Sequence, residues 1–224
     1  MFLTNGDLDH CLGLLSLREN QPIVIYATDA VRRGFTQGNV LYRTLQRFPD
    51  QVTWRNLKLG AEEQVRRMDG HPSGLTVRAE AVAGKLPVHL EGLLPFDPEM
   101  NVGLRFRNQS TGGVLSYLSA VGRITPAVHD LMNGAGAILF DGTFWSDDEL
   151  SAPGLMAKSA GDLAHCPIGG RDGTLRALAG LGSPRRVFTH INNTNPILNE
   201  ESAERRQVEA AGWEVAFDGM EITL

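Results

Sequence analysis

Three short apolar segments of this chain run directly into side chains that can hold a cation. Phe2-Leu3-Thr4 leads into Asn5-Gly6-Asp7-Leu8-Asp9-His10, Ile138-Leu139-Phe140 into Asp141-Gly142-Thr143, and Val187-Phe188-Thr189 into His190-Ile191-Asn192-Asn193-Thr194-Asn195-Pro196. Carboxylate oxygens and imidazole nitrogens bind divalent first-row metals. In open α/β sheets ligands collect at the carboxyl ends of strands, where loops converge, so three such endings can build one polar site on rigid supports. Each piece alone has an ordinary explanation. Asp-Gly after a strand is usually a turn, an Asn-rich stretch before Pro satisfies its own backbone, and Asp9-His10 before an apolar helix can be an N-cap and its neighbour. Recurrence at three matching positions is what favours a metal site.

The elements that must position these residues alternate in type. Ile23-Val24-Ile25-Tyr26, bounded by Pro22, reads as a buried strand, and Thr28 is placed to cap the helix after it, with Asp29 in the first turn. Leu12, Leu14, Leu15 and Leu17 give a helical apolar face, and a second helical stretch covers about 40–48 before the strand Val52-Thr53-Trp54. The middle alternates with period two over Leu75–Ala81, with further strands at Val102–Phe106 and Val114–Leu118, as in an antiparallel meander. Pro126 opens a helix that Gly134 ends, and βα alternation returns through Ala137–Phe140, a helix over about 175–181 and the strand Arg186–Thr189. A charged helix over about 200–211 stops at Gly212, and the tail from Trp213 reads as a hairpin around Asp218-Gly219. The class is mixed α/β.

Composition narrows the function. The chain has 224 residues, 21 basic and 26 acidic, for a net charge of −5. That balance speaks against a surface built to hold nucleic acid. With 42% hydrophobic residues there is enough apolar side chain for a packed core, and 25 Gly with 11 Pro suit a turn-rich fold rather than a helix bundle. Two cysteines, Cys11 and Cys166, are too few for a disulfide scaffold. No apolar run is long enough to span a bilayer, and the acidic N-terminus does not read as a signal peptide. The expectation is a cytoplasmic protein without membrane or nucleic-acid partners.

The motif Asn5-Gly6-Asp7-Leu8-Asp9-His10 resembles the His-x-His-x-Asp-His motif of the metallo-β-lactamase superfamily with both leading histidines replaced, and Asp141 and His190 match its later aspartate and final histidine. Phe140-Asp141-Gly142-Thr143-Phe144-Trp145-Ser146-Asp147-Asp148-Glu149, His165-Cys166-Pro167-Ile168 and the stretch from His190 to Leu198 resemble the pyrroloquinoline quinone (PQQ) biosynthesis protein B family. The likeness covers essentially the whole chain. It implies an αββα sandwich of mixed sheets, here a single domain over 1–224. It also implies an N-terminal portion that this chain lacks, so part of the first sheet is expected to be missing and apolar surface left open. An isolated chain of that kind is expected to be poorly stable or to aggregate.

The resemblance implies a metal set of Asp7, Asp9, His10, Asp141 and His190. Lys85 falls where a first-site histidine would stand, so an ammonium repels a cation there and a dinuclear site is disfavoured. His165 is a candidate acid/base group, Lys85 a second catalytic candidate, and Asn5, Asn193 and Asn195 are substrate-binding candidates. His89, His129, Cys166 and the acidic turn Asp147-Asp148-Glu149 receive no role. Two imidazoles with carboxylate oxygen and open positions suit Fe(II), with Zn(II) also compatible. The implied activity is O2-dependent hydroxylation of the tyrosine moiety in a small molecule or dipeptide derived from Glu-Tyr, alongside other PQQ-pathway proteins. The alternatives are a metal-dependent hydrolase and a non-catalytic carrier of the quinone, which the scarcity of basic residues near the motifs disfavours.

Overall fold

Ile23 to Ala27 is apolar on both faces, and the fold uses both. In the computed structural model, which describes residues 1–182 and 184–224, this strand is β1 (Ile23–Ala27) and pairs in parallel with β2 (Val52–Asn56). Ile23, Ile25 and Ala27 pack against Val31 and Phe35 of helix α2 (Asp29–Gln37), together with Leu14 and Leu45. Val24 and Tyr26 point the other way, onto Val65, Val77, Ala79 and Leu104 of a second sheet. Thr28 caps α2, accepting from Val31 N at 3.2 Å and donating to Glu99 O at 2.6 Å.

The second sheet runs β3 (Glu62–Arg66), β4 (Pro72–Ala81), β5 (Val102–Asn108), β6 (Val114–Leu118), β7 (Ala137–Asp141), β8 (Arg185–Thr189), β9 (Glu214–Val215), in that spatial order. Pairing is antiparallel from β3 to β6 and parallel from β6 to β9. Its outer face carries Ile138, Phe140 and Phe188 against Val128 and Leu131 of α3 (Pro126–Met132), Val208 of α5 (Ala203–Ala210), and Trp213. The layers are therefore helices, a small sheet, a large mixed sheet and helices again, the αββα order expected from the resemblance. Among the described residues no helix is long and apolar enough to cross a membrane.

Three local expectations are corrected, and one strand is additional to those expected. Phe2-Leu3-Thr4 is not a regular strand. Leu3 N donates to Tyr26 O at 2.9 Å beside β1, then Thr4 O accepts from Val102 N at 2.9 Å, so the segment crosses from one sheet to the other. That crossing delivers Asp7 to His10 to the rim of the large sheet. The helix over 175–181 shrinks to α4 (Thr174–Ala177). Glu62–Arg66 is a strand despite its polar sequence. It lies at the sheet edge, where only Val65 is buried and charged residues discourage further pairing.

The C-terminal hairpin does not form. Asp218-Gly219 does turn, with Met220 N donating to Phe217 O at 3.1 Å, but β9 is used as a parallel neighbour of β8. Beyond the turn, Glu221 O accepts from Arg185 Nη1 at 2.7 Å and Leu224 lies against Gly113 and Gly136. Burying Val215 on the parallel sheet outcompetes a two-stranded ribbon, which is marginal in water. At the opposite end, an apolar groove of about 500 Å³ lined by Phe2, Leu17, Ile23, Val24 and Met68 lies open beside Met1.

Candidate metal centre

Asp141 and His190 emerge side by side because β7 and β8 are parallel and in register, with Asp141 opposite Thr189. Gly142 makes this approach possible. Its N–H donates to Thr189 O at 2.7 Å, and a Cβ there would stand 2.9 Å from Phe188 Cβ and 3.0 Å from Thr189 O. Gly142→Ala must push these neighbours apart. The expected cost is about 1–3 kcal/mol of folding stability by overpacking, checked by chemical denaturation against the wild-type chain. His190 itself has φ +55°, a left-handed conformation uncommon outside glycine, which the surrounding contacts must hold.

The crossing segment and helix α1 (Leu8–Cys11) bring Asp9 and His10 to the same point. Asp9 Oδ2 lies 2.9 Å from His190 Nε2 and 3.5 Å from His10 Nε2, and the His10 and His190 rings lie 4.5 Å apart between centroids, tilted by 36°. Donors that each bind one cation at about 2.0–2.2 Å stand roughly 3–3.5 Å from one another in neighbouring coordination positions. These three donor atoms lie within 4.8 Å of each other, so the chemistry and spacing of the set fit a single divalent ion. Asp9 is a carboxylate, so His190 Nε2 is the donor across their 2.9 Å contact.

Electrostatics agree with that description. Asp9 sits at about 2, held down first by the hydrogen bond from His190, with burial opposing and the nearby His10 assisting. His190 is raised to about 9: burial alone would lower it, but its interactions with Asp141 and Asp9 outweigh burial. His10 is lowered, chiefly by burial and then by the neighbouring His190, which keeps its imidazole neutral and available as a ligand. Burial also raises both Cys11 and Cys166 to about 11, so neither is an activated thiol.

Behind His190 lies a buried carboxylate hub. Asp141 is 0% exposed and accepts from Val121 N at 2.8 Å, Thr143 N at 3.0 Å, Thr143 Oγ1 at 2.6 Å and His165 Nδ1 at 2.7 Å. Burial would raise its pKa, yet the hydrogen bond from His165, the His190 imidazole with Nδ1 3.8 Å from Oδ1, and the Thr143 contact bring it down to about 2. Asp141, His165 and His190 form a second convergent group, on the opposite side of the His190 ring from Asp9.

The remaining expected residues are placed as follows. Asp7 does not join the cluster. Both its oxygens accept from Lys85 Nζ at 3.1 Å, so the two form an ion pair on the wall of a cavity of about 350 Å³ that also reaches Asp9, His10, His165 and His190. His89, which carried no expectation, lines this cavity too, and its apolar wall comes from Leu8, Val88, Phe144 and Leu163. Asn5 is buried, accepting from Asp7 N at 3.0 Å. Asn195 is buried as well, donating to Gly142 O at 2.8 Å and accepting from Ile197 N at 3.1 Å, so its amide is engaged within the loop. Asn193 is exposed on the turn after His190. Glu149, expected in a solvated turn, is instead a brace: it accepts from Trp145 N at 2.5 Å and from Thr194 Oγ1 at 2.5 Å. Thr143 sits inside a motif yet has no metal-binding chemistry of its own to mark it; only its position two residues after Asp141 hints at a shared task.

Comparison with known proteins agrees with the architecture. A family model described as "Beta-lactamase superfamily domain" matches residues 1–191. The fold also resembles a solved diphosphatase from the PhnP family, at a TM-score of 0.60 and 18% identity. The class is thus a β-lactamase-superfamily domain with a carboxylate–histidine cluster at its sheet ends. Coenzyme PQQ synthesis protein B of Nitrosococcus oceani is 39% identical over 233 residues, 99% of this chain and 72% of the relative. The protein of the same description from Rhodopseudomonas palustris is 40% identical over 231 residues, 100% of this chain and 73% of the relative. The crystal structure of Zn(2+)-bound PqqB from Methylobacterium extorquens aligns with a TM-score of 0.87 at 36% identity, covering 100% of this chain and 72% of that one. The chain belongs to the coenzyme PQQ synthesis protein B family.

Proposed function

We propose that this protein is an Fe(II)-dependent hydroxylase that oxidises the tyrosine ring of a small Glu-Tyr-derived precursor during PQQ biosynthesis in the cytoplasm. The observation that carries this reading is the donor set of Asp9, His10 and His190: two imidazoles and one carboxylate, with a cavity on the open side. That is the ligand type of non-haem iron oxygenases. Lys85 on Asp7 leaves an ammonium where paired-metal hydrolases need a second ligand set, which disfavours hydrolysis. Zinc in a purified relative is compatible with this, because the affinity order places Zn(II) above Fe(II) at such sites.

Bound at these three residues, iron would supply the binding and activation of O2. The chain supplies the rest. Leu8, Val88, Phe144 and Leu163 offer an apolar wall for the ring, and Lys85 offers a charge for a substrate carboxylate. His165, with Nδ1 hydrogen-bonded to Asp141, keeps Nε2 as the nitrogen able to take the phenol proton. The reaction inserts one oxygen atom of O2 into a ring C–H bond and releases the other as water, with two electrons from an external reductant and two protons from it or from solvent.

The test is anaerobic loading with Fe(II), then O2 uptake in the presence of a reductant and a tyrosine-containing dipeptide. Uptake matched by ring-hydroxylated product, and requiring metal, O2 and dipeptide together, is the expected result. Turnover of an ester or phosphodiester by the zinc-loaded chain without O2 would replace this reading with the hydrolase. Tight binding of the quinone with or without metal, and no turnover, would replace it with the carrier.

A further inference from the structure

Thr143 is 7% exposed, and its hydroxyl oxygen stands at the junction of the hub and the ligand. It lies 2.6 Å from Asp141 Oδ1, 2.7 Å from His190 Nδ1 and 3.0 Å from the His190 carbonyl oxygen. A hydroxyl carries one hydrogen, and neither a carboxylate nor a carbonyl oxygen can give it another. That hydrogen therefore goes to one of the two oxygens, Asp141 Oδ1 being the nearer, and the contact with His190 closes only if Nδ1 carries the proton. We infer that Thr143 is a positioning residue that holds His190 in its Nδ1-protonated tautomer and so turns the Nε2 lone pair toward a cation at Asp9 and His10.

Two further observations support this. Asp141 cannot reorient, since its two oxygens accept four hydrogen bonds and an ionised carboxylate offers about four acceptor positions. It is thus a fixed reference to which Thr143 ties the imidazole. The same hydroxyl reaches the carbonyl of His190, whose backbone is in the left-handed region, so one side chain constrains both the ring and the main chain of the ligand. Outer partners of this kind set ligand orientation in metal sites, and losing one typically costs 10–100-fold in affinity.

This inference rests on His190 being a ligand, and the experiment separates the two. Zinc affinity is measured by chelator competition for the wild-type chain, Thr143→Val, Thr143→Ser and His190→Ala, with 15N–1H spectra of the histidine rings in the zinc-loaded forms. Thr143→Val, which keeps the shape and removes the hydroxyl, is expected to lose about 10–100-fold in affinity. Thr143→Ser should recover most of it, and the slowly exchanging Nδ1 proton of His190 should be visible in wild type and Ser but not in Val. A purely structural threonine would change the melting temperature without moving that proton. Undiminished affinity and a retained Nδ1 proton in Thr143→Val overturn the inference while leaving the metal reading intact. Undiminished affinity in His190→Ala overturns both. If Thr143→Val does not fold, the wild-type spectrum decides: an Nδ1 without its proton in the zinc-loaded chain refutes the assignment.

Discussion

Metal binding should collapse when His190 becomes alanine. His190 is the one residue shared by both convergent groups, facing Asp9 through Nε2 and Thr143 through Nδ1. Its removal leaves two donors, Asp9 and His10, and takes away the positive partner of two carboxylates. The affinity loss should therefore exceed the roughly 100-fold upper range for outer-partner loss, measured by zinc competition or by the spectrum of the cobalt-substituted protein. His89→Ala is the control. It removes an imidazole from the same cavity wall but outside the donor set, and its affinity should stay close to wild type. Equal losses in the two variants would mean that the cation sits elsewhere in the cavity.

Asp141→Ala should cost more stability than any other single change near the cluster. The carboxylate is fully buried, and deleting it leaves the N–H groups of Val121 and Thr143, the Thr143 hydroxyl and the His165 ring without their acceptor. Breaking a buried charged pair by removing one partner typically costs about 3–5 kcal/mol, and denaturant titration of the metal-free chain should show a loss of that order. The pH dependence has a definite sign. Because the folded-state value of Asp141 is about 2, below its ordinary value of 3.8, its contribution is present above pH 4 or so and fades as the pH falls toward 2. The wild type should therefore lose its advantage over Asp141→Ala across that window. A constant difference between the two down to pH 2 would mean that the carboxylate is not ionised in the folded chain.

Both predictions concern residues that the amino-acid order alone marks out. Asp141 and His190 each end a β-branched or aromatic run with a metal-binding side chain, a local signal that depends only on strand propensity and chain order. The cap of α2 is equally legible, since Thr28 accepts from the backbone N–H three residues on. The C-terminal tail misleads because Asp-Gly between alternating runs describes a turn faithfully but not what the flanking strands pair with.

What the amino-acid order settles is the inventory: donors at strand ends and an apolar strand in β1 to bury. The division of labour among those donors depends on contacts between residues far apart in the chain. Asp7 and Asp9 are two residues apart and chemically identical, yet Asp7 meets Lys85 from 78 positions away and Asp9 meets His190 from 181 positions away. Asn195 has the chemistry of a substrate ligand, but the backbone of Gly142 and Thr143 occupies its amide. Charge, hydrogen-bonding capacity and helix or strand preference belong to single residues and their near neighbours. Which donor faces a cation and which is consumed in holding another is a matter of partners, and partners are assigned when the sheets stack.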